Sequence, residues 1–305
     1  MPTLELLRRK IETASDLQSV VTTMKTLAAV RIHQYQRAAD ALMDYNRTIE
    51  LGLQVILREQ RLRHLPASEW GGGSSGVGGS EENSHHGVIV IGSDQGMCGQ
   101  FNEQIATHAL EHHAKHCQRP PEALWIVGSR VAFLLTDSGW SIDEAFRIPT
   151  SVPEIADCVS DLLTAVEAVR EQRNLTTLRI YSNMRSSAGA YQPNTTQLLP
   201  IDLAWLQQLS VKNWESTCLP TFGGEREELF SLLVRQSLYV SLYQACAESL
   251  ASENASRIAA MQAAEKNIEE TLDELNTAFK TQRQTAITEE LLDVVVGFEA
   301  LTSGS

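Results

Sequence analysis

Apolar residues recur at spacings of three and four through the first forty residues: Leu4, Leu7, Ile11, Ala14, Leu17, Val21, Met24, Ala28, Ile32, Tyr35, Ala39 and Leu42. That period places them on one stripe of an α-helix. Thr3 precedes the stripe as a cap, and Glu5 in the first turn suits the helix dipole. The C-terminal region repeats the pattern with Ile258, Met261, Glu265, Ile268, Leu272, Leu275, Phe279, Gln282 and Ala286. The seam then slips by one residue to Ile287, Leu291, Val294, Phe298 and Leu301. At 1.5 Å per residue, helices over residues 4–60 and 226–301 would be about 85 and 115 Å long. Two such stripes predict a long antiparallel coiled coil of the chain's two ends. Two separate amphipathic helices lying on the rest of the molecule would be the plainer alternative.

Proline supports this division. Apart from Pro2, every proline falls between Pro66 and Pro220, and 225–296 holds neither proline nor glycine. Since these residues interrupt helices at costs of about 3 and 1 kcal/mol, both ends are free to remain helical. The middle alternates short apolar runs with helical patterns. GVIVIG at 87–92, ALWIVG at 123–128 and LRIYS at 178–182 read as strands, with TTQLLPI at 195–201 as a possible fourth. Helices are expected at 102–117 and 153–170. The expected fold is therefore a coiled coil plus a small Rossmann-like α/β domain with a largely parallel sheet. Its parts are an N-terminal helix (1–65), a Gly/Ser linker (66–86, with WGGGSSGVGGSEENS at 70–84), the α/β domain (87–210) and a C-terminal helix (211–305).

Charge strengthens the pairing of the ends. Residues 1–63 carry ten Lys/Arg against seven Asp/Glu, and residues 224–305 carry six against fourteen. Exposed ion pairs are each worth little, so apolar burial must do most of the holding. The formal net charge of −13 argues against general nucleic-acid binding. No run reaches the roughly 18 apolar residues of a membrane span. The first ten residues lack a signal-peptide core, so an intracellular protein is expected. Cys98, Cys117, Cys158, Cys218 and Cys246 are scattered singly, without zinc-ribbon or thioredoxin spacing.

The central region invites an enzymatic reading, and its motifs resist it. There is no GxxxxGK[ST], and GVIVIGSDQG lacks GxGxxG spacing. Gly72-Gly73-Ser74-Ser75-Gly76 matches GxSxG only inside a glycine tract, without a strand-to-helix turn. His108, His112 and His116 share a helical face beside His113 and Cys117. That spacing can hold a transition metal, although a solvated face is the plainer reading. The run Ser93–Asn102 (SDQGMCGQFN) follows the first strand as a binding loop, or as a tight turn with Asn102 as helix cap. On residues alone, a coiled-coil adaptor with a ligand-binding α/β domain and a metal-dependent enzyme both stay open.

The same segments resemble the gamma subunit of F-type ATP synthases. The family's loop is similar to SDRGLCGGFN. Its N-terminal helix carries a stretch like ITKAMKMVAAAKL, where this chain has VVTTMKTLAAVRI at 20–32. Its C-terminal helix carries stretches like ASEHAARMVAMKNAT and RQAAITQELTEIVSGAEAL. Here 251–264 reads ASENASRIAAMQAA and 283–301 reads RQTAITEELLDVVVGFEAL. The N-terminal wording resembles the alternate, sodium-linked branch more closely than the housekeeping enzyme. Gln95 and Gln100 depart from the family's basic residue and glycine, and no close cysteine pair resembles a thiol switch.

The resemblance implies a non-catalytic rotary stalk without cofactor or metal. Its implied partners are alpha and beta subunits, an epsilon-type subunit and the membrane rotor ring of subunit c, with a peripheral place on the cytoplasmic face of a bacterial inner membrane. It further implies beta-subunit contacts at Arg257, Gln284, Thr288, Arg283, Met24 and Lys25. The implied apolar bearing tip comprises Leu291, Val294, Val295, Phe298 and Leu301. Asp94, Gln95 and Cys98 would form a loop on the rotor-ring and epsilon side.

Overall fold

The computed structural model describes residues 3–58, 85–117, 119–185, 191–214, 217–218 and 220–302, with side chains described as far as Val296. The glycine tract of residues 70–84, with its GxSxG match, lies outside them. The chain divides into two compact units, residues 1–28 with 257–305 and residues 29–256. Two long helices, α1 (Leu4–Arg58) and α6 (Arg226–Thr302), contribute to both.

In the first unit α1 and α6 pack as an antiparallel pair. Thr3 Oγ1 accepts the Leu6 amide at 3.4 Å, giving α1 the expected cap. The buried positions Leu7, Ala14, Val21 and Ala28 recur every seven residues, and Leu4, Ile11, Gln18 and Lys25 are half-buried between them. This is a strict heptad seam. It corrects one position: Leu17 is 52% exposed, and polar Gln18 faces the partner. The α6 seam runs through Met261, Glu265, Ile268, Leu272, Leu275, Phe279, Gln282 and Ala286 as expected, all buried or half-buried.

Register comes from a clasp at the middle of the pair. Lys25 Nζ forms an ion pair with Glu265, whose other carboxylate oxygen accepts the Thr22 hydroxyl at 3.2 Å. The Glu265 carboxyl is held below the usual carboxylate range, chiefly by the Lys25 hydrogen bond. Stepping from this clasp toward the start of α1 and along α6 sets Leu4 opposite Ala286, the last half-buried residue of α6. A parallel register would instead set Leu4 opposite Gln244, outside this unit. From Ile287 to Val296 every side chain is exposed, because α1 has ended. Ile287, Leu291 and Val294 of the slipped stripe are therefore left exposed, and α6 continues for about 24 Å beyond the residue opposite Leu4.

The second unit holds a five-stranded sheet in the order β3-β2-β1-β4-β5. The strands are β1 (His86–Ile91), β2 (Ala123–Val127), β3 (Glu144–Phe146), β4 (Thr177–Arg185) and β5 (Tyr191–Leu199). All neighbours are parallel except β4 and β5. The central strands are buried on both faces, as parallel sheets require. Val88, Val90, Leu124 and Ile126 pack with α2 (Phe101–His116) and α3 (Ser129–Asp137). Ile89, Ile91, Trp125 and Val127 face α4 (Val152–Arg173) and the Leu238–Ala251 stretch of α6. A third cluster joins Ile49, Leu53 and Ile56 of α1 to α5 (Leu203–Val211) and to Phe230 and Val234 of α6.

Helices α3 and α5 and strand β3 extend the expected set. Each is nine residues or shorter, too brief to show a convincing period. Specific bonds fasten the long helices to this unit. Tyr35 donates its hydroxyl to the Thr150 carbonyl at 3.1 Å, and Arg235 grips Glu167 through two bonds of 2.7 and 3.2 Å.

Adjacent valines test the seam directly. Val21→Ala should lower stability by about 1–2 kcal/mol, the loss of two buried carbons. Val20→Ala should change it by less than about 0.5 kcal/mol, because that side chain is 55% exposed. Urea unfolding followed by helical circular dichroism measures both.

Candidate functional site

Three surfaces can carry function, and the coiled coil supplies the first. Arg283, Gln284 and Thr288 are exposed, with the Thr288 hydroxyl returned to the Gln284 carbonyl at 2.9 Å. Met24 is half-buried, Lys25 is engaged by Glu265, and Arg257 is buried. Leu291, Val294 and Val295 are exposed, whereas the side chains of Phe298 and Leu301 lie outside the described residues. One open surface was missed in the residue pattern. Leu17, Val20, Leu27 and Val30 lie on the outward face of α1, each more than half exposed. Counting a strict heptad from Leu4 and Leu7 would have separated this second stripe from the seam. The outward face of α6 is acidic, with Glu269, Glu270, Asp273 and Glu274 exposed. The two sides of the rod are thus chemically unlike.

The loop after β1 is the second surface, and most of its polar groups serve the fold. Asp94 accepts the Ser129 amide at 2.7 Å and the Ile148 amide at 3.0 Å. Asn102 lies inside α2 rather than capping it. Its side chain accepts the Ser93 amide and donates to the Ser93 hydroxyl, both at 2.9 Å. Cys98 is buried, and its carbonyl accepts the Ser256 hydroxyl of α6 at 2.5 Å. Of Asp94, Gln95 and Cys98, only Gln95 is exposed, beside Met97. Close approach at the base of the loop requires two glycines. A Cβ on Gly92 would lie 2.5 Å from Val131, and one on Gly128 (φ +111°) would lie 2.8 Å from the Ser93 nitrogen.

The histidine face of α2 is the third. His108 Nε2 lies 2.8 Å from the Thr195 hydroxyl, and His112 Nδ1 lies 3.1 Å from the Tyr181 hydroxyl. His113 is buried against Trp140, with Nε2 2.8 Å from the Arg119 carbonyl. These contacts seat α2 on β4 and β5. Among the described residues no group of three His, Cys, Asp or Glu side chains is arranged to hold a metal. Burial lowers the affinity of His108 and His113 for protons and drives the pKa of His112 down to about 4. For His112, the neighbouring His116, Arg179, His108 and Lys115 add repulsion.

No described helix is long and apolar enough to cross a membrane. A cleft beside Tyr35 carries Asp40, Arg185 and Glu248. One unit is thus an antiparallel pair of helices and the other an α/β fold. The chain matches the family model described as ATP synthase over residues 3–301, and it belongs to that family. It is 25% identical over 303 residues to an ATP synthase gamma chain of Brucella anthropi, covering 99% of this chain and all of that one. A gamma chain of Brevibacillus brevis is 26% identical over 296 residues, covering 96% and 97%. Among solved structures, a chain of the Euglena gracilis mitochondrial ATP synthase (OSCP/F1/c-ring, rotational state 3) has the same fold. Its TM-score is 0.63 at 17% identity, covering 99% of this chain and 95% of that one.

Two outcomes follow. Gly128→Ala should cost about 1–3 kcal/mol from backbone strain, plus displacement of the Ser93 segment, measured by chemical unfolding. Acid should weaken the α2 contact through His112. The folded form stays neutral while the unfolded imidazole gains a proton below pH 6.5. Its contribution is therefore complete above pH 6.5, declines as pH falls to about 4, and is flat below. The groups facing it are His108, Lys115 and His116 on α2 and Arg179 and Tyr181 on β4. His112→Gln should flatten the fall in the urea midpoint between pH 6.5 and 4.5.

Proposed function

We propose that this chain is the central rotary stalk, the gamma subunit, of an F-type ATP synthase. It transmits torque between an ion-driven rotor ring of subunit c and a catalytic hexamer of alpha and beta subunits. The chain itself is non-catalytic; ATP chemistry belongs to the beta subunits. The observation that carries this reading is the family match across residues 3–301 in a chain whose ends form a rod with unlike sides. Its place is peripheral, on the cytoplasmic face of a bacterial inner membrane, with an epsilon-type subunit beside the α/β domain.

The rod works by differential contact. As it turns, each beta subunit meets in succession the apolar face of α1, the acidic face of α6 and the seam edges between them. A ligand shifts a conformational equilibrium only by the difference in its affinity for the two states. Driving a site from 1:99 to 99:1 takes about 5.5 kcal/mol, whereas one hydrogen bond to a charged group supplies about 1.5–3. The contact must therefore be distributed. Arg283, Gln284 and Thr288 make direct beta contacts, and Met24 lies at the edge of the apolar α1 face. Lys25 contributes through Glu265 by holding register, and Arg257 is a further contact position near the base of the rod. Leu291, Val294, Val295, Phe298 and Leu301 form the bearing tip, and the exposed side chains of Leu291, Val294 and Val295 need a collar. Gln95 offers the loop's polar contact to the epsilon and rotor-ring side.

Truncation after Asp293 in the assembled complex tests this arrangement. Coupled ATP synthesis should fall by less than about tenfold, equivalent to about 1.4 kcal/mol, with ATP hydrolysis retained. Complete loss of ATP turnover in an intact assembly would contradict distributed contact. A chain that forms no complex with alpha and beta subunits in a pull-down would favour the adaptor reading.

A further inference from the structure

We propose that His112 and His116 form a two-imidazole site for a divalent first-row transition ion of the zinc class, on the last turns of α2. Positions four apart lie one above the other on a helix. Here the two rings are stacked, with centroids 4.4 Å apart and planes inclined by 24°.

Their hydrogen bonds leave the outer nitrogens available. His116 Nδ1 lies 2.8 Å from the His112 carbonyl oxygen, which can only accept. Nδ1 therefore carries the proton, and Nε2 keeps its lone pair. The Tyr181 hydroxyl, 3.1 Å from His112 Nδ1, can accept or donate; in the tautomer in which His112 donates, its Nε2 is likewise unprotonated. Metal-ligating imidazoles are oriented like this, donating the proton of the second nitrogen to a carbonyl or another oxygen. Imidazole lone pairs lie in the ring plane and the two planes are nearly parallel, so Zn–N bonds of about 2.0–2.1 Å require the rings to turn out of the stack until both Nε2 atoms face one ion.

His116 is exposed, so an ion can enter from solvent and keep water in its remaining positions. His108 is already engaged, with its Nε2 2.8 Å from the Thr195 hydroxyl. Glu111 favours a cation at this face, whereas Lys115 and Arg179 oppose it. Two ligands in that field make a site of moderate affinity. Imidazole donors select zinc, copper and nickel over magnesium and calcium. A bound ion would bridge one helical turn and, through the His112–Tyr181 contact, tie the end of α2 to β4.

Zn²⁺ titration of the untagged full chain at pH 7.5 tests the site, by calorimetry and by imidazole ¹⁵N resonances. The expected result is saturable binding with Nε2 shifts at both residues and a raised Tm. His116→Gln, at an exposed position, should abolish the Nε2 shifts and the Tm rise, as should His112→Gln in a chain shown to be folded. His108→Gln should leave both intact. Nε2 shifts and a Tm rise that survive His116→Gln, or no saturable Zn²⁺ binding by the parent chain, would overturn the proposal.

Discussion

The antiparallel seam between the start of α1 and the end of α6 is the constraint on which the rest depends. It is a zip of small and medium side chains with one polar clasp. Alternate layers set Leu7, Ala14, Val21 and Ala28 against Gln282, Leu275, Ile268 and Met261. Apolar layers alone would tolerate a slip of one heptad. The Lys25–Glu265 pair, tied also to Thr22, opposes such a slip because it would leave the carboxylate without its cation. Because the register is determined, the lengths of the two helices determine the overhang, and the overhang leaves an apolar helix end exposed. A structural consequence of pairing thus becomes the feature that demands a partner.

The α/β unit solves a different problem, gripping the same two helices over another part of their length. Its core spreads across both sheet faces, and α6 residues from Leu238 to Ala251 belong to the same cluster as the central strands. Around the loop after β1, glycines at 92 and 128 allow backbone and side chain to approach closely, and Asp94 and Asn102 satisfy the amides so exposed. The loop then reaches Ser256 through the Cys98 carbonyl. Most of what looks like a binding motif here is the wiring of a turn.

The long elements were legible because their signals accumulate over many residues. The α6 seam from Met261 to Ala286 emerged position by position, and three strands were visible as apolar runs, whereas the fourth run, at 195–201, overlaps only the end of β5. Short elements gave no comparable signal. The exchange of Leu17 for Gln18 shows how hydrophobicity alone misleads: a strict seven-residue count outranks the apolar side chain when the two disagree. The loop misled for a related reason. Asp94 and Cys98 look available in a linear motif, but their partners at Ser129, Ile148 and Ser256 are remote in sequence. Likewise, the spacing of the histidines was plain, while their engagement with Tyr181 and Thr195 required knowing that β4 and β5 lie beneath α2.

Disulfide trapping between the two ends is the most direct measurement of the central claim. In a chain otherwise free of cysteine, Ala14→Cys combined with Leu275→Cys should cross-link nearly completely under mild oxidation. Leu17→Cys combined with Leu275→Cys should remain reduced, because position 17 faces away from the seam. Cross-linking of the second pair but not the first would contradict the register. Failure of both in a folded chain would contradict the paired rod itself.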